Sequence, residues 1–145
     1  MLPSDVIFLR PNPDITLTVP STAEIPVTVG GYQTADGSLY INSGRGYSTN
    51  GIVKPDFVAP AAGIPAVGLR GNYVTMTGTS AAAAIVAGAC AQMMEWGEVR
   101  NNYSLNSVEI GNLLIRGCKR SDDRTYPNTS WGYGKMNIYQ SFVRF

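Results

Sequence analysis

The apolar positions along the chain keep one rhythm up to about residue 77 and another after it. The first half carries short runs separated by turn residues. Val6–Leu9 is a four-residue apolar run closed by Arg10-Pro11-Asn12-Pro13, and Ile15–Val19 alternates apolar residues with threonine, the pattern of a half-buried strand. Pro26–Val29 is a further β-branched run ended by Gly30-Gly31, and Leu39–Ile41 follows the turn Ala35-Asp36-Gly37. Asn42–Gly51, rich in Gly, Ser and Asn, reads as an irregular surface loop. Lys54–Pro60 is a short strand bracketed by prolines, and Val74–Met76 is another that leads straight into Thr77-Gly78-Thr79-Ser80.

The period then changes to that of a helix. Ala81–Met94 contains no charge and one polar residue, Gln92, so the predicted helix is apolar on every face and must be surrounded. Glu95, Trp96 and Gly97 mark its exit, with Gly97 as the residue after the cap. Ser107–Arg116 is a second helix, with Asn106 as N-cap, Glu109 at the third position to complete a capping box, and Gly117 at its end. Residues 118–130 form a polar turn region, and a shorter amphipathic helix is expected over Met136–Phe142. Strands first, helices after, and a buried helix directly following a strand point to an α/β layered domain.

Composition narrows the class. The 145 residues suit one domain, long enough to bury roughly 70% of the unfolded surface. Apolar residues make up 44% of the chain and charged ones only 14%, so much of it is meant to be covered, by itself or by another surface. A net charge of +1 with scattered Lys and Arg gives no basic stripe for nucleic acid. No apolar stretch is long enough to span a membrane, and the opening nine residues, with Asp5 and no charged n-region, do not read as a signal peptide. Cys90 and Cys118 lack the spacing and companions of a zinc site or a disulfide framework and are expected as buried or half-buried thiols. No acidic loop has calcium-ligand spacing, so no metal is expected.

The candidate chemistry lies at Gly78-Thr79-Ser80. A sharp turn of small residues before a helix presents a serine oxygen at the helix N-terminus, where unpaired N–H groups and the helix dipole stabilise developing negative charge. Gly78, Ala81 and Ala82 let a substrate backbone approach. The plainer alternative is that Thr79 or Ser80 only caps the helix. A serine also needs a base, usually histidine, and the chain contains none.

Four stretches, in order, carry a family resemblance. Gly78-Thr79-Ser80 with Val86-Ala87-Gly88 resembles the nucleophile signature of the subtilisin-like serine proteases. Lys54–Pro60 is similar to the family's Lys-Pro-Asp-x-x-Ala-Pro segment. Ile25–Gly30 with Ser43-Gly44-Arg45-Gly46 is similar to its Val-Gly strand and Ser-x-Arg-Gly loop, and Trp131–Asn137 to its Gly-Tyr-Gly-x-x-Asn element. The wording around Ser80 and Leu114–Cys118 is most similar to the clostridial and gut-bacterial branch. Two positions depart from the pattern, Ala81 where Met is usual and Ala84 where Pro is usual, and Ile85 stands where many members carry a non-catalytic histidine.

The resemblance covers residues 18–142, with 1–17 poorly matched, and implies the C-terminal portion of a three-layer α/β fold with a mainly parallel sheet. It implies Ser80 as nucleophile, Gly78 and Thr79 as its oxyanion and substrate surroundings, and no organic cofactor. The family's Asp and His, and the Asn of its oxyanion hole, precede the segment present, since the triad runs Asp, His, Ser in chain order. None of Asn12, Asn42, Asn50 or Asn72 has the Gly-Asn-x-Gly setting of that Asn. The expected activity is therefore serine-type endopeptidase for the parent, with this chain silent alone; the alternatives are a pseudoprotease acting as a regulatory binding module, and a truncated fragment. The expected partners are a peptide or protein substrate, the N-terminal half of the domain, and a second copy of the chain. The compartment stays open, with secretion or a bacterial cell envelope compatible. Of the remaining candidates, Asp56 is expected in a structural strand, Asp122-Asp123-Arg124 in a solvated turn, Trp131 and Tyr133 in packing, Asn128-Thr129-Ser130 in a turn, and Ser21-Thr22-Ala23 along the substrate side by resemblance.

Overall fold

Two glycines form the middle of the first strand because nothing larger fits there. The computed structural model describes residues 7, 9, 10 and 12–144. Strand β1 (Val29–Gln33) runs parallel to β2 (Phe57–Ala62), with Val29 opposite Phe57 and Gly31 opposite Ala59. A Cβ on Gly31 would sit 2.5 Å from Cβ of Ala61, so only glycine allows this approach. The glycines expected to end the run therefore lie inside the strand, which starts where Pro26–Val29 was expected to stop. Asp56 N–H donates to Thr28 O just before the pair begins, and beyond β2 the chain adds a parallel bridge from Val58 to Lys135.

A second, antiparallel sheet follows. β3 (Ile64–Val67) pairs with β4 (Tyr73–Met76) through a turn at Leu69–Gly71. β4 contains the expected Val74–Met76 strand; β3 has no counterpart in the sequence reading, because Pro65 breaks its alternation. Other strand expectations fail. Ile15–Val19 is irregular, with Ile15 at φ 58°, and Thr16 N–H donates instead to Arg45 O in the loop after Leu39–Ile41. Leu39–Ile41 makes only a single bridge, Leu39 to Tyr32. The Val6–Leu9 expectation rests on positions 6 and 8, which lie outside the described residues; Ile7 and Leu9 are exposed.

Helix α1 (Thr79–Glu95) does not end at Gly97 but continues through a π turn, Trp96–Arg100, in which Gly97 is buried against Tyr103 and Leu105. Ala82, Val86, Ala89 and Met93 form one stripe of α1 and are buried with Phe57, Ala59 and Ala61 of β2. The opposite stripe, Ala83, Ala84, Ala87, Gly88 and Ala91, is exposed. The expectation of a fully surrounded helix is thus met on one side only within this chain. α2 (Ser107–Gly117) has the expected capping box: Asn106 accepts from Val108 and Glu109 N–H, and Glu109 accepts from Asn106 N–H. α3 (Ile138–Val143) packs on α2 and is capped by Asn137. The architecture is α/β, with the parallel pair and α1 at its centre and α2 and α3 beside them.

Candidate active site

Ser80 is exposed in the first turn of α1. The N-cap is Gly78, at φ 146° and ψ 159°, a conformation that a residue with a Cβ rarely adopts. Its N–H donates to Ala61 O at 2.7 Å, which ties the turn to the end of β2. Its carbonyl accepts from Ala81 and Ala82 at 3.0 and 3.4 Å, starting the helix. No side chain caps the N-terminus, so neither Thr79 nor Ser80 plays the plain capping role. The Ser80 hydroxyl and the Thr79 and Ser80 N–H groups make no hydrogen bond with the described residues, and no acidic residue in the first turn offsets the dipole there.

Ser80 opens onto a cleft of about 870 Å³. One wall is α1, with Thr79, Ser80 and Ala83; the others are the chain around Thr16–Ser21, the start of β1, and the loop Ile41–Arg45. Ser21 lines the cleft; Thr22 and Ala23 are not among its lining residues. Thr28 Oγ1 donates to Ser21 O at 2.7 Å, and the Ser21 hydroxyl donates to Thr18 O, holding this wall. Among the described lining residues none is His, Asp, Glu, Cys, Lys or Tyr.

The wall rests on a buried ion pair that spacing alone did not predict. Lys54 Nζ lies 2.8 Å from Asp56 Oδ2 and donates to Pro26 O and Glu24 O, while Asp56 Oδ2 accepts from Thr28 N–H at 2.6 Å. Asp56 is thus spent on anchoring β1 to β2, which accords with its expected structural role. Trp131 is buried, and Arg124 stacks on its ring at 4.4 Å with Lys135 at 5.2 Å. Asn128 forms the expected turn, accepting from Ser130 and Trp131 N–H. Cys118 is buried, its thiol pushed up to about 12 by desolvation, and Cys90 is half-buried; both are free. Among the described residues no three His, Cys, Asp or Glu side chains group as a metal site, and no helix is long and apolar enough to cross a membrane.

Residues 10–134 match the model of the subtilase family, peptidase S8. The chain belongs to the subtilase family. The CspB protease of Clostridium perfringens superposes with a TM-score of 0.85 at 36% identity, over 93% of this chain and 30% of that one. The prenylagaramide maturation protease PagA, at 21% identity and a TM-score of 0.72, shares the fold over 86% of this chain and 44% of its own. The membrane-bound transcription factor site-1 protease of Mus musculus is 28% identical over 136 residues, covering 88% of this chain and 12% of that protein. This subtilase chain therefore spans less than half the length of each of these relatives. Asn42 and Arg45 also line the cleft; in the sequence both fall in the irregular loop Asn42–Gly51, and neither carries a signal of that position.

Proposed function

We propose that this chain supplies the nucleophile of a serine-type endopeptidase. Ser80 Oγ attacks the scissile carbonyl of a peptide or protein substrate, and the Ser80 backbone N–H helps hold the resulting oxyanion. The leaving amine departs with a proton, and water hydrolyses the acyl-enzyme. The observation that carries this reading is the exposed serine in the first turn of a helix begun at Gly78, facing a cleft and free of any capping duty. The base, its orienting carboxylate and the side-chain oxyanion donor come from outside these 145 residues, from an N-terminal portion of a bacterial peptidase domain that seats against the uncovered side of α1. Without them the chain is silent.

Labelling with a fluorophosphonate serine probe tests both parts. The purified, metal-free chain is expected to label no faster than its Ser80→Ala variant. Expressed with upstream in-frame sequence that encodes Asp-Ser/Thr-Gly, His-Gly and Gly-Asn-x-Gly segments, it is expected to label at Ser80. Rapid labelling of the isolated chain would refute its silence, and labelling of the longer protein at another residue would refute Ser80 as nucleophile. Altered motifs upstream would instead give a regulatory binding module.

A further inference from the structure

The cleft beside Ser80 is electrostatically one-sided. Arg45 is the one charged residue among its described lining residues, and no Asp or Glu joins it there. Arg45 is half-buried, and its guanidinium forms no ion pair or hydrogen bond with the described residues; the two ion pairs among them are Lys54–Asp56 and Arg124–Asp123. Its backbone, by contrast, is fixed. Arg45 O accepts from Thr16 N–H at 2.8 Å, and Arg45 N–H donates to Thr16 Oγ1 at 2.9 Å, so the loop is stitched to the opposite wall. Next to it, Gly46 N–H donates to Thr129 O at 2.9 Å. A guanidinium with five donors, carried on a pinned backbone at a cleft without acids, is complementary to a carboxylate, which it can bind in bidentate fashion.

We propose that Arg45 sets a charge preference in this cleft, selecting peptides that bring a carboxylate close to the bond presented to Ser80 and disfavouring lysine or arginine there. The inference rests on the cleft being the substrate site, as under the proposed function. The carboxylate has two sources, an Asp or Glu side chain or the free C-terminus of a peptide. A partly exposed pair at moderate salt is worth a several-fold effect rather than orders of magnitude, and it is screened as ionic strength rises.

Binding, which needs no triad, tests this on the 145-residue chain carrying Ser80→Ala. Four fluorescein-labelled hexapeptides are compared by anisotropy: neutral with an amidated end, neutral with a free C-terminus, and amidated peptides with one internal Glu or one internal Lys. The expected result is the Glu peptide binding about five- to tenfold more tightly than the Lys peptide, with the gap shrinking to within about twofold in Arg45→Gln and largely retained in Arg45→Lys. Tighter binding of the free C-terminus than of the Glu peptide assigns the carboxylate to a chain end. Equal binding of Glu and Lys peptides, a preference that Arg45→Gln keeps, or no binding by any peptide would each overturn the inference. Thermal unfolding of Arg45→Gln at the temperature of the parent chain guards against a folding defect. Because Ser80 is absent from the assay, failure here leaves the probe-labelling result on Ser80 untouched, and the two claims fall separately.

Discussion

Gly78 and Ser80 show how one residue's backbone angle positions another's chemistry. At φ 146° the turn is open to glycine alone, although a Cβ there would meet no atom closer than Ser80 N at 3.9 Å. The cost of Gly78→Ala is therefore conformational, about 1–3 kcal/mol, and is expected as a lowered urea midpoint with an unchanged slope. Ser80→Ala removes an exposed hydroxyl with no cap to lose and should leave stability within about 0.5 kcal/mol. Lys54 behaves differently: its side chain is 2% exposed against 15% for Asp56. Lys54→Ala leaves that carboxylate without its partner and is expected to cost about 3–5 kcal/mol in the same titration. The serine and its glycine were legible in the sequence because the motif is contiguous. The ion pair's second set of partners, the carbonyls of Glu24 and Pro26, was not, since they lie about thirty residues away in the chain.

Among the elements, α2 was read correctly from its local signals. The α2 capping box spans Asn106 to Glu109, so four adjacent residues specify it; Asn106→Ala is expected to cost about 1 kcal/mol by thermal unfolding. The hydroxyl of Tyr103 donates to Glu109 at 2.5 Å, and this bond, with that from Asn106 N–H, holds the Glu109 carboxyl below its usual range. A carboxyl whose folded value is lowered binds fewer protons folded than unfolded. Its contribution is then present above the ordinary Glu value of about 4.3 and is lost as pH falls through the lower folded value. Tyr103→Phe should flatten that part of the acid limb in a pH series of unfolding midpoints. Element limits that depend on distant contacts were misplaced. β1 continues through two glycines because Ala61 and Val58 press against them, and Ile15–Val19 fails as a strand because its partner is an irregular loop.

At the scale of the whole molecule, the uneven covering of α1 dominates. The stripe from Ala83 to Ala91 faces outwards, and Leu69 and Tyr73 on the β3–β4 hairpin are 91% and 82% exposed. Apolar surface of this extent in a chain with a net charge of +1 favours association. Light scattering at micromolar concentration is expected to show concentration-dependent self-association, reduced by Ala87→Glu; a strictly monomeric chain with cooperative unfolding would contradict it. The sequence by itself determined that α1 is a helix, that it carries no polar face, and that a serine stands at its start, because each of these depends on neighbours within a turn or two. Which stripe of α1 is buried, which glycines lie inside a strand, and which loops close the cleft around Ser80 were decided only by the tertiary structure. A uniformly apolar helix has no pattern to say which side the sheet will take, and that choice is made by the packing of Phe57, Ala59 and Ala61 against Ala82, Val86 and Met93.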